Sequence, residues 1–267
     1  MFASQEHLPN PPLESRRVAQ PSDDDGSHER DNRRAAIAAD RDGAGVGSLS
    51  ELWHALAGGR AKVVDTFVTQ DRCYLLLRSA QLRLSRPHAR GVDKFDVLAR
   101  TLLAGSQKSV AIDLGLAASS ITQLTKDALA SMGFDCRTSQ TPCILVMAAH
   151  AAQRRRHEPC RSSRISSETG ELRVVSVMRC DLTIARLLPP AECVVTRLLV
   201  EGRRRTEIAR LRQTSERTVA NQLGAAFRRL RASGRLDLIR RLIVGDGRAE
   251  MALDGAIQAR SPMALAH

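Results

Sequence analysis

Two stretches of this chain repeat one another, and that repetition limits the fold more than any other feature. Residues 97–105, VLARTLLAG, align with 194–202, VVTRLLVEG, sharing Val97/Val194, Arg100/Arg197, Leu102/Leu199 and Gly105/Gly202. After a one-residue slip, VAIDLGLAASSIT aligns with IARLRQTSERTVA, which pairs Val110 with Ile208, Ala111 with Ala209 and Ile121 with Val219. Each copy follows a segment of strand character, RCYLLLRS in the first and LRVVSVM in the second. A period near 98 residues is too long for a solenoid, whose repeats run about 20–50 residues. The chain therefore reads as one unit used twice, a short β-hairpin or strand segment followed by a bundle of short helices.

Around the copies the punctuation divides the chain. Residues 1–47 (PNPP, then SDDDGSHERDNRR) lack apolar periodicity and are expected to be a disordered tail. Residues 48–88 read as a helix opened by a Ser48/Glu51 capping box, then a hairpin of KVVDTFV and RCYLLLRS broken at TQD. Residues 89–152 hold the first helical unit. Residues 153–185 read as a basic loop (QRRRHEPCRSSR) and a β segment with a turn at SETG. Residues 186–245 hold the second helical unit, and 246–267 an Ala- and Gly-rich flexible tail. Aromatics are only 3% of the chain, so cores of Leu, Val, Ile and Ala are expected, with Trp53 and Tyr74 anchoring the hairpin.

The second helical unit carries the functional signal. Val194, Val195, Leu198 and Leu199 fall on one face of the helix before Gly202, and Ile208 and Leu211 serve the next, short helix. Ser215 is placed to cap a third helix with Glu216 in its first turn, and Val219, Leu223, Phe227 and Leu230 form its apolar stripe. Three short helices with a tight turn between the last two make a helix-turn-helix. Opposite the stripe lie Arg217, Ala220, Asn221, Gly224 and Arg228, flanked by Thr218 and Gln222. Asn and Gln can bond adenine edges bidentately, and Arg and Thr can hold phosphates. Small residues there would let the helix sink into a major groove.

Residues 188–242 resemble the LuxR/GerE-type DNA-binding domain. The matching signature is Glu207-Ile208-Ala209, the run from Ser215 to Asn221, and Ser233, Arg235 and Leu238 opening a fourth helix. The resemblance implies a mainly α fold of two tandem tetrahelical helix-turn-helix units. It also implies base contacts at Ala220, Asn221 and Gly224, phosphate contacts around Ser215, Arg217 and Thr218, and a dimeric regulator of transcription. Arg212 departs from the family's apolar Leu, and Ala220 and Gly224 offer no hydrogen bonds, which shifts base reading toward Asn221 and Gln222. The first copy keeps less of the pattern: Ala117 replaces the capping Ser, and Thr125 takes the Leu223 position. Its base-facing residues would be Thr122, Gln123 and Lys126, with Ser120 beside them as a DNA-binding residue.

Charge separates the copies. The chain carries 41 Lys and Arg against 29 Asp and Glu, a net of +12, and an excess of this sign attracts polyanions. Residues 186–241 hold 14 arginines and 5 acids, whereas over 89–150 six cations face five acids. A uniform compositional bias would load both copies alike, so the second is the expected DNA contact.

The six cysteines, Cys73, Cys136, Cys143, Cys160, Cys180 and Cys193, form no C-x-x-C pair; they read as buried small residues without chemistry, and no metal or other cofactor is expected. No catalytic motif stands out, so the chain is not expected to be an enzyme. No run reaches the ~18 apolar residues of a membrane span, and the N-terminus has no apolar signal core; a cytoplasmic protein without a membrane partner is expected. The expected partner is duplex DNA, with a second copy of the chain and RNA polymerase as open partners. Two other readings stay open, a module that binds protein as an anti-regulator and one resembling region 4 of sigma factors.

Overall fold

A computed structural model of the chain describes residues 25–80, 92–104, 106–181 and 184–244. The order of elements is α1 (Asp25–Gly43), β1 (Gly45–Ser48), α2 (Leu49–Ala57), β2 (Ala61–Val68), β3 (Arg72–Ser79), α3 (Lys94–Ala104), α4 (Gln107–Asp113) and α5 (Ala118–Met132). A 3-10 turn (Thr138–Gln140) then leads to α6 (Cys143–Arg154), β4 (Pro159–Ser167), β5 (Gly170–Met178) and α7 (Ile184–Leu187). The chain closes with α8 (Pro190–Val200), α9 (Arg205–Leu211), α10 (Glu216–Arg229) and α11 (Arg235–Val244). The fold is mainly α-helical with one antiparallel sheet, and its helices are arranged in helix-turn-helix fashion.

The strands lie in the order β1-β4-β5-β3-β2. The hairpins of the two copies meet through their second strands, with Cys73 opposite Val177 and Leu75 opposite Val175. Exchanging the copies leaves the order β4-β5-β3-β2 unchanged, so the duplication seen in the sequence is built into the sheet. Strand β3 is an interior strand, between β5 and β2, and covered on both faces, which explains its unbroken run Cys73-Tyr74-Leu75-Leu76-Leu77, each 4% exposed or less. Cys73, Leu75 and Leu77 face the main core with α2 and α6, while Tyr74 and Leu76 face a second layer with Ile165, Leu172 and Val174.

That second layer corrects the expected tail. Residues 25–47 form α1 and β1, and α1 lies over the sheet's outer face with Ala36 fully buried. The segment reads as disordered because polar groups hold it as much as apolar ones. Arg33 grips Asp65 with Nε and Nη2 at 2.8 and 2.9 Å. Asp40, buried to 3% exposure, accepts from the Ser176 hydroxyl and from Tyr74 at 3.2 Å, with Arg72 at 3.2 Å and Arg161 at 3.5 Å. A buried carboxylate survives when its lone pairs and charge are matched in this way. Residues 1–24, 81–91, 105, 182–183 and 245–267 lie outside the described residues, and with them the expectation made for residues 246–267.

Other expectations shift locally. The Arg- and Ser-rich stretch expected to be a loop is strand β4 from Pro159 onward, turning at Glu168 and Thr169 into β5. Ser48 sits at the N-cap of α2, but its side chain makes no cap bond. Val194 and Leu211 are 45% and 63% exposed; α8 instead buries Cys193, Val195, Thr196 and Val200. Helix α6 belongs to both copies, closing the helices of the first while packing on α2 and leading into the hairpin of the second. Gly133, which ends α5 at a φ of +95°, abuts β2 so closely that a Cβ would sit 2.3 Å from the Val63 carbonyl oxygen.

Candidate nucleic-acid interface

Helices α8, α9 and α10 pack around Val195, Ile208, Ala209, Val219 and Leu223, with Leu198, Leu199 and Phe227 at the margin. The turn into α10 needs one residue in the left-handed region, and Gln213 supplies it at a φ of +49°. The Thr214 N–H then returns to the Ala209 carbonyl at 3.0 Å. Ser215 caps α10, its Oγ accepting from the Thr218 N–H at 3.1 Å. Helix α9 is braced at its own start, where the Glu207 carboxylate accepts from the Arg204 N–H at 2.7 Å.

The first copy repeats this backbone without the cap. Gly115 takes the left-handed position at a φ of +62°, Leu116 N–H returns to the Ala111 carbonyl at 2.9 Å, and Ala117 stands at the N-cap with no side-chain bond. Val97, Val110, Ala111 and Ile121 form its core. Thr125, at the Leu223 position, is buried and donates its hydroxyl back to the Ile121 carbonyl at 2.9 Å.

On α10 the structure exposes Ser215, Arg217, Thr218, Asn221 and Arg228 and leaves Ala220, Gln222 and Gly224 half-buried. Gln222 is not a free amide: its Oε1 accepts from Arg212 Nη1 at 2.6 Å, and the same Nη1 reaches the Ala191 carbonyl at 3.4 Å. The first copy has Leu114 and Leu124 at the matching positions, packed against its core. The polar pair thus replaces an apolar one, a compensation that shows when the copies are compared position by position.

The first copy's candidates are engaged differently. Thr122 donates back to the Ala118 carbonyl at 2.9 Å, Gln123 Nε2 bonds Asp127 at 2.8 Å, and Ser120 is half-buried. Thr122 and Lys126 line a cleft of about 820 Å³ whose far side includes Arg204, Gly234 and Leu236 of the second copy. The face of α5 therefore looks toward its sibling.

Arginines crowd the second copy. Arg203, Arg204, Arg205, Arg210, Arg217, Arg228 and Arg231 are all exposed and form no ion pair among the described residues; Arg229 is paired with Glu192 at 3.1 Å. Arg235, from the family-like signature, has another task. It is 7% exposed and clasps the end of α8, with Nε on the Leu199 carbonyl at 2.7 Å, Nη2 on Val200 at 2.7 Å, and Nη2 also on Thr141 of the first copy. Burial pushes its guanidinium down to about 10. Asp237 opens α11 by accepting from the Ser233 N–H at 2.8 Å. Burial alone would raise its carboxyl, but the Ser233 bonds and Arg241 hold it below the usual carboxylate range.

The joint between copies is close. Gly202, at a φ of +95°, lies so near the 3-10 turn that a Cβ would meet the Gln140 carbonyl oxygen at 2.7 Å. Arg179, after β5, bridges Asp181 at 2.6 Å and Glu201 at 2.9 Å. Among the described residues no group of His, Cys, Asp and Glu is disposed to hold a metal ion, and no helix is long and apolar enough to cross a membrane. No known protein family, curated protein or solved structure matches the chain.

Proposed function

We propose that this chain is a sequence-specific, duplex-DNA-binding regulator of transcription, built from two tandem tetrahelical helix-turn-helix units, α3–α6 and α8–α11, of which the second reads DNA. The observation that carries this reading is α10 itself. Its capped N-terminal half presents Arg217, Thr218 and Asn221 to solvent, in a unit carrying seven exposed arginines without ion pairs among the described residues. Phosphate affinity grows with local cation density, and a helix N-terminus adds its own positive end. Asn221 then reads a base edge, most simply an adenine through N6 and N7. Gln222, held by Arg212, positions α10 and does not read bases.

The first unit acts as a scaffold. Its cation excess is small, Thr122 and Gln123 are satisfied within α5, and Thr122 and Lys126 border the cleft toward α11.

The test is enrichment of genomic fragments by wild-type protein and by Arg217→Ala/Asn221→Ala, with folding checked by circular dichroism. Wild type is expected to enrich a small set sharing a motif, and the folded double variant to lose it. Equal enrichment by both, or no DNA retained by folded wild type, refutes the reading and favours a protein-binding module.

A further inference from the structure

Three cysteines distant in sequence meet beneath the joint between the copies. Cys73 on β3 and Cys143, the first residue of α6, place their sulfurs 3.1 Å apart, and Cys180, just after β5, lies close enough to act on the Cys143 thiol. Cys73 and Cys143 are only 4% and 5% exposed. Both nevertheless line a cleft of about 540 Å³ bordered by Arg179, Gly202 and Arg203, which gives a small molecule a way in.

The surroundings treat the three thiols unequally. Hydrogen bonds from Cys180 and then Cys73 hold the Cys143 thiol well below its ordinary value against burial, while the same bonds and burial push Cys73 and Cys180 up. Cys143 also sits at the positive end of a 12-residue helix. Buried Arg235 contributes a full charge: its Nη1 has no hydrogen-bond partner, and the thiols of Cys143, Cys180 and Cys136 act on it electrostatically. Its Nε and Nη2 are satisfied by carbonyls, none of them charged, and a buried guanidinium charge is favoured by negative charge nearby, which a Cys143 thiolate would supply.

We propose that Cys143 is a site of oxidation by hydroperoxides and that Cys73 is its resolving thiol. The Cys143 thiolate attacks one peroxide oxygen; the O–O bond breaks, Cys143 becomes a sulfenic acid, and the other oxygen takes up a proton and leaves as alcohol or water. The Cys73 sulfur then attacks the sulfenic sulfur. The S–O bond breaks, hydroxide leaves as water with the Cys73 proton, and a Cys73–Cys143 disulfide remains. The peroxide gains two electrons and the two thiols lose them. The sulfurs start at 3.1 Å, and the disulfide brings them to a bonded separation of about 2.0 Å. Oxidation removes the negative charge beside Arg235, so its effect reaches the end of α8 and Thr141, which Arg235 clasps. None of this depends on the DNA reading.

The test exposes full-length reduced protein to a small excess of hydrogen peroxide and follows it by intact mass and non-reducing peptide mapping. The expected product has lost two hydrogens, links the Cys73 and Cys143 peptides, and returns to the starting mass with dithiothreitol. Cys143→Ser is expected to slow thiol loss by about tenfold or more. Cys73→Ser is expected to leave a sulfenic acid that dimedone traps at Cys143, or to move the bridge to Cys180. Cys193→Ser, in α8, should oxidise as wild type does. If Cys143→Ser fails to fold by circular dichroism, the wild-type map decides alone. A first modified residue other than Cys143, or six thiols that survive the exposure, overturns the proposal.

Discussion

Gly224 gives a prediction in which stability and binding part company. It lies inside α10, where glycine costs about 1 kcal/mol relative to alanine through backbone entropy. Nothing in the fold requires a glycine there. Its backbone is helical, and an added Cβ would meet only the end of the Arg228 side chain, at 3.6 Å, an ordinary contact with a flexible group. Gly224→Ala should therefore stabilise the protein by about 1 kcal/mol, which for a chain of this size raises Tm by about 2–4 °C. On the reading side the sign reverses: if α10 sits in a groove with Gly224 against DNA, the methyl group lowers affinity for the enriched site. The pair of assays is thermal unfolding and fluorescence anisotropy on one duplex. An unchanged or lowered Tm would refute the structural reasoning, and an affinity equal to wild type in a stabilised variant would remove Gly224 from the interface.

Replacing Arg235 by Met leaves the Leu199, Val200 and Thr141 carbonyls short of a donor, and relief of a buried charge offsets only part of that. Chemical denaturation should show a loss of about 3 kcal/mol, and no loss would mean the clasp contributes little. Gly202→Ala combines a left-handed backbone with a Cβ 2.7 Å from the Gln140 carbonyl oxygen; a loss of about 1–3 kcal/mol is expected, and a neutral result would show that the joint opens freely. The lowered carboxyl of Asp237 stabilises the fold above its unfolded value near 4, and that contribution is lost as pH falls through the lower folded value. Urea midpoints measured from neutral pH down through pH ~4 should therefore fall less steeply for Asp237→Asn than for wild type; parallel curves would contradict the assignment.

The duplication was legible because apolar spacing survives divergence: Val110 and Ile121 fill the places of Ile208 and Val219 without any knowledge of the fold. The structure, however, pairs Val97 with buried Val195 and not with exposed Val194, so the one-residue slip read in the sequence is absent. The cap at Ser215 was legible too, since its partner lies three residues away. What escaped was non-local. Helix α1 shows few apolar side chains of its own, and the carboxylate that ties it down, Asp40, finds Tyr74 and Ser176 only once the sheet has formed. Cys73 and Cys143 are separated by 70 residues and brought together by β3 and α6, so no local spacing motif could show them. The Gln222 partner was closer to hand. Arg212 stood out as a departure from the resemblance, and the Leu114 and Leu124 pair in the first copy showed which two positions must change together. Exposure of Val194 and Leu211 follows from packing that one helix's periodicity does not fix.

The most direct measurement is the salt dependence of DNA affinity, because a cluster of arginines acting on phosphates leaves a countable signature. Seven exposed arginines without ion pairs among the described residues, each neutralising one phosphate, give a slope of log K against log salt of about −6 for each unit bound. Arg217→Ala should flatten that slope by about one and weaken binding on every sequence alike. Asn221→Ala should leave the slope in place and erase the preference for the enriched site over random duplex. A wild-type slope near zero, or a preference that survives Asn221→Ala, would contradict the assignment of α10 as the reader.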